Sequence, residues 1–135
     1  MRRTYFDRDG KEISGQNIRQ NDLVVVRLTL EAQEGRKVPN VAVTDLLPAG
    51  FEIENPRLGS EREIPWAKKI AVPDHADIRD DRILLYTTAT TQPQHFYYQV
   101  RAVSKGTFQV GPVSADAMYN AEYHSYHGAG VVRVR

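Results

Sequence analysis

The chain has 135 residues, with 18 Lys and Arg against 17 Asp and Glu, four His, no Cys, 41% hydrophobic and 26% charged residues. That length supports one domain with its own core, and the composition is too apolar for wholesale disorder. A formal net charge of +1 with cations scattered among acids argues against a nucleic-acid partner, and the missing cysteine excludes disulfides, thiolate zinc ligation, thiol catalysis and any thioester made from a cysteine of this chain.

No apolar run approaches the ~20 residues of a membrane-spanning helix. The start, Met1-Arg2-Arg3-Thr4-Tyr5-Phe6-Asp7, has basic residues with no apolar stretch behind them, unlike a secretory leader, and passes at once into strand-like sequence. A single domain, residues 1–135, excised from a much longer polypeptide, is the expectation.

In chain order, Leu23 to Leu30 is dense in aliphatic and β-branched side chains and too short for a helix, so it reads as a central strand. Val41 to Asp45 is a second strand, stopped by Leu47-Pro48-Ala49-Gly50, where proline fixes one turn position and glycine permits the next. Phe51 and Ile53 alternate with acids on a third. Residues 56–81 carry Pro56, Pro65 and Pro73 and read as a long excursion anchored by the single tryptophan, Trp66. Strands resume at 82–90, with Asp80-Asp81 as the turn before them, then at 96–103 and 106–110. Ser104-Lys105-Gly106 is short enough for a hairpin between the last two. Val113 to Tyr119 is followed by a polar loop rich in His, Tyr and Gly, and Val131 to Val134 closes as an edge or partner strand. Short strands at this spacing, without helical periodicity, predict an all-β, antiparallel β-sandwich of immunoglobulin-like or fibronectin-III-like architecture.

Catalytic chemistry finds little support. His124 and His127 point to opposite faces if on a strand, and read better as solvated loop histidines than as metal ligands with Asp116 and Glu122. Asp80 and Asp81, between Arg79 and Arg82, read as a charge-compensated turn rather than a glycosidase pair. No serine elbow or phosphate-cradling loop is present, so neither an enzyme nor a cofactor is expected. In Phe96-Tyr97-Tyr98, Tyr97 faces away from its neighbours, with core packing the simpler reading. Met118 and Tyr119, leaving a strand before Tyr123 and Tyr126, suit contact with another protein surface; equally, Met118 could plug the end of the sandwich. Tyr123, Tyr126 and Trp66 are further candidate interface residues.

The stretches Asp22 to Leu30 and Val41 to Leu58, with Arg79 to Arg82, Tyr98 to Gly106 and Ala115-Asp116-Ala117-Met118-Tyr119, resemble in order the C-terminal macroglobulin-like domain of bacterial α2-macroglobulins, counterpart of the eukaryotic receptor-binding domain. The match covers nearly the whole chain. The resemblance implies a noncatalytic domain of a large protease-trapping envelope protein, a broad-spectrum endopeptidase inhibitor of the periplasm anchored in the inner membrane. Its partners would be neighbouring domains of the same polypeptide, above all an α-helical thioester domain, and through the full-length protein the target proteinases. It also implies that Met118 and Tyr119 shield the thioester from water, and that the isolated domain is monomeric. A generic cell-surface adhesin module, binding through an exposed Val131 to Val134 edge or the Trp66 excursion, is the competing reading.

Overall fold

The computed structural model describes residues 1–32, 37–54, 58, 64–67, 69–118, 124–127 and 129–135, with His124 described by its backbone alone. Its strands are β1 (Arg2–Phe6), β2 (Glu12–Ile13), β3 (Leu23–Leu30), β4 (Val38–Leu46), β5 (Phe51–Ile53), β6 (His75–Ile78), β7 (Arg82–Ala89), β8 (Gln94–Ala102), β9 (Gly106–Val110), β10 (Val113–Ala117), β11 (His124–His127) and β12 (Gly130–Val134). One sheet runs β2-β1-β3-β8-β5, the other β11-β10-β4-β7-β6, and β12 with β9 forms a separate two-stranded ribbon. Every strand pairing is antiparallel and no helix occurs among the described residues, so the expected β-sandwich is the fold.

The period-2 alternation of side chains builds the core. Val24, Val26, Leu28 and Leu30 of β3 with Phe96, Tyr98 and Val100 of β8 are buried from one sheet. Val41 and Val43 of β4, Ile83 and Leu85 of β7, and Val113 and Ala115 of β10 are buried from the other. Val110, Val132 and Val134 of the ribbon join the same cluster. β3 lies at the centre of its sheet, as its continuous apolar run requires.

Four expectations are corrected. Residues 103–105 do not make a hairpin: the Val103 and Ser104 amides donate to the Gly50 carbonyl at 2.8 and 3.2 Å, and the chain leaves the β8 sheet for the ribbon. Gly50 sits at φ +85°, and a Cβ there would lie 2.5 Å from the Phe108 ring, so this crossing point needs glycine on two counts. The excursion between β5 and β7 contains a strand, β6, which pairs with β7. The histidines His124 and His127 stand on β11, paired with β10, rather than in a loop. Nor is the Val131 to Val134 edge open. β9 pairs along one side of β12, while on the other Arg133 N–H donates to the Gly15 carbonyl at 2.8 Å and Arg135 N–H to the Ile18 carbonyl at 2.9 Å.

The excursion also covers the outward face of the β3–β8 sheet. Phe6, Val25 and Tyr97 are buried there beneath Ile64 and Ala67, with Trp66 and Ile70 packed alongside. The Trp66 ring lies 5.2 Å from that of Phe6 and meets Tyr97 edge-on at 6.0 Å, and its Nε1–H donates to the Arg8 carbonyl at 2.9 Å. Tyr97 is therefore core on the second side of its sheet, as the simpler reading held.

Candidate functional site

β10 turns Val113, Ala115 and Ala117 inward and ends there. The next residue, Met118, is held by its backbone alone: its N–H donates to the Asn40 carbonyl at 2.9 Å. That carbonyl is available because β4 breaks register between Val38 and Val41, where Pro39 cannot donate to a ladder and Asn40 adopts φ +55°. The Met118 side chain is 56% exposed, so it does not plug the sandwich. A flexible thioether is thus presented outward from a fixed backbone position. Tyr126, on β11 beside β10, is 60% exposed and faces outward opposite Ser114. Tyr119 and Tyr123 lie outside the described residues, and Trp66 is a half-buried anchor within its own chain.

A buried ionic cluster fixes the approach to β10. Arg3 reaches across from β1 to Asp45 of β4, with Nη2 2.6 Å from Oδ1 and Nε 3.3 Å from Oδ2. Nη2 also donates to the carbonyl of Gly111, two residues before β10, at 2.8 Å. The Tyr98 hydroxyl of β8 donates to Asp45 Oδ2 at 2.5 Å. The Arg3 and Asp45 side chains are 3% and 1% exposed, so this is a desolvated pair whose charges each need their partners. Burial, reinforced by the Asp45 carboxylate, pushes the Tyr98 phenol well above its ordinary value, and burial pushes Tyr5 in the same direction. Burial opposes the charge on Arg3, yet Asp45 outweighs it and holds the guanidinium above its usual range.

Other candidate groups are scattered. The His127 Nδ1 accepts from the Arg3 backbone N–H at 3.1 Å, and burial together with the N-terminal ammonium, Arg3 and Arg2 lowers its pKa. Asp81 is bound by Arg82 at 3.1 and 3.2 Å and held below the usual carboxylate range by that bond, as a compensated turn demands. Among the described residues no three His, Asp or Glu side chains converge as a metal set.

Residues 1–122 match the family model of the bacterial alpha-2-macroglobulin MG10 domain. The chain is 33% identical to the alpha-2-macroglobulin of Pasteurella multocida over 98% of its own length and 7% of that protein's. It is 31% identical to the alpha-2-macroglobulin homolog of Yersinia pestis over 87% of its own length and again 7% of the relative's. Among solved structures it matches Escherichia coli alpha-2-macroglobulin activated by porcine elastase, with a TM-score of 0.85 and 32% identity, covering 98% of this chain and 13% of that one. It also matches Salmonella alpha-2-macroglobulin reacted with methylamine, with a TM-score of 0.80 and 32% identity, over 98% of this chain and 9% of that one. The chain thus spans a small fraction of each relative. With a sandwich, strand order and β10 terminus built as described, it belongs to the family of bacterial alpha-2-macroglobulin MG10 domains.

Proposed function

We propose that this domain is a noncatalytic docking element of a periplasmic, inner-membrane-anchored protease-trapping alpha-2-macroglobulin, and that Met118 and Tyr119 cover the thioester of a neighbouring domain. The observation that carries this reading is the exposure of Met118: its backbone is pinned to Asn40 while 56% of the residue stays open to a partner. A thioester persists only where water and amines are kept away, and an adaptable apolar side chain closing over it does that. No metal or acid–base group is needed for such a role, and the near-neutral net charge of +1 suits a neighbouring domain as partner.

The test is the full-length parent carrying Met118→Ala with Tyr119→Ala. Its thioester should be lost to methylamine at least about tenfold faster than in the wild type, equivalent to about 1.4 kcal/mol less protection. Unchanged rates would remove the shielding role. In the 135-residue domain, Met118→Ala alone should change unfolding free energy by less than about 0.5 kcal/mol, because an exposed side chain leaves no cavity.

A further inference from the structure

Among the described residues, one buried side-chain polar atom has no hydrogen-bond partner: Nε of Arg27. Burying a charged donor without an acceptor is costly, and because Nε is closed off from solvent, the two Nη groups of the same guanidinium are the ones placed to take an external acceptor. Its surroundings are cationic. On the outward face of the β3–β8 sheet, the register sets Thr4, Arg27 and Tyr97 in one row and Arg2, Thr29 and His95 in the next. Diagonal neighbours across such rows are within reach of long side chains.

Arg27 and His95 are held in place. The Arg27 guanidinium carbon lies 4.9 Å from the Phe6 ring centroid, which orients its plane. The His95 Nδ1 is 2.8 Å from Oγ1 of the buried Thr29. With the hydroxyl donating to Nδ1, the imidazole keeps its proton on Nε2 as a donor to a ligand. Lys69, a non-glycine residue at φ +56°, immediately precedes Ile70, whose backbone bridges to His95. None of Arg2, Arg27 and Lys69 has a carboxylate partner among the described residues. Burial and these three cations lower the pKa of His95, so the imidazole arrives neutral and gains a proton more readily once an anion is present.

We propose that Arg27, with Arg2, Lys69 and His95 around it, forms a binding site for a phosphate-type oxyanion. Three permanent cations and an imidazole able to become a fourth match a dianion better than a monocarboxylate, which would leave most of their mutual repulsion in place. The phosphate group can come from free phosphate or from a phospholipid headgroup, and the two are separable by experiment.

The 135-residue domain, labelled with ¹⁵N, is titrated with inorganic phosphate and, at matched ionic strength, with acetate. Phosphate should shift the Arg27 Nε–H resonance saturably and raise the pKa of His95, with acetate at least about fivefold weaker. Arg27→Gln should weaken phosphate binding by about tenfold or more. Should that variant fail to fold, the exposed Lys69→Gln should weaken binding by about threefold, through loss of one partly screened charge. Co-sedimentation with phosphatidylglycerol vesicles that phosphate reverses would identify a lipid headgroup; no co-sedimentation alongside saturable phosphate binding would identify the free ion. Shifts that are linear and equal for phosphate and acetate, or binding unchanged in whichever variant folds, would overturn the site.

Discussion

At the scale of single residues, the fold is held by groups whose charges are tied to one another across the two sheets. Asp45 receives Arg3 from β1 and the Tyr98 hydroxyl from β8, so each strand position depends on the other two. Tyr98→Phe removes the shorter of the two hydrogen bonds to Asp45 Oδ2 and should cost about 1–3 kcal/mol, read from urea unfolding at neutral pH. The same phenol predicts a pH dependence. Its folded pKa lies well above 10.0, while in the unfolded chain it ionises near that value. The stabilisation is therefore complete below pH 10 and is lost as pH rises beyond it, because the unfolded state releases the proton first. Tyr5 acts in the same direction. Urea midpoints should fall steeply above pH 10, and less steeply in Tyr98→Phe; equal slopes would show that Tyr98 does not carry the effect.

At the scale of elements, the excursion between β5 and β7 roofs the outward face of a sheet, with Trp66 seated on Phe6 and Tyr97. Trp66→Ala should destabilise the domain by about 2–4 kcal/mol, in contrast to Met118→Ala, when both are measured by chemical denaturation. The alternation in β3, β4, β7 and β8 was legible because each strand's burial follows its own local pattern. Asp45 also carried a readable signal: two residues beyond Val43 on a strand, it had to face the core and so needed a buried partner. That the partner is Arg3, 42 positions away, depends on which strands lie opposite, and no local pattern encodes that. The false hairpin at 103–105 has the same origin, since turn length permits a hairpin but the Gly50 carbonyl captures the chain instead. β6 was hidden because a short edge strand following Pro73 need bury little. At the site, Met118 could be named from the sequence, but its exposure depends on the bulge at Pro39 and Asn40.

At the scale of the whole molecule, the domain corresponds to a small part of a much longer protein, 7% of the Pasteurella multocida relative. Its own core is complete, the β12 edge is occupied on both sides, and among the described residues Met118 is a large apolar side chain left exposed beside a fixed backbone. The absence of cysteine from this chain means that any thioester of the parent is made outside it, and the role proposed for this domain is to cover that bond. The most direct measurement is photo-crosslinking in the native full-length parent, with benzoylphenylalanine at position 118 and the linked peptides identified by mass spectrometry. Links to the thioester domain around its reactive bond are expected, diminished once methylamine has opened that bond. Links confined to residues 1–135, or to a domain without the thioester, would contradict that role.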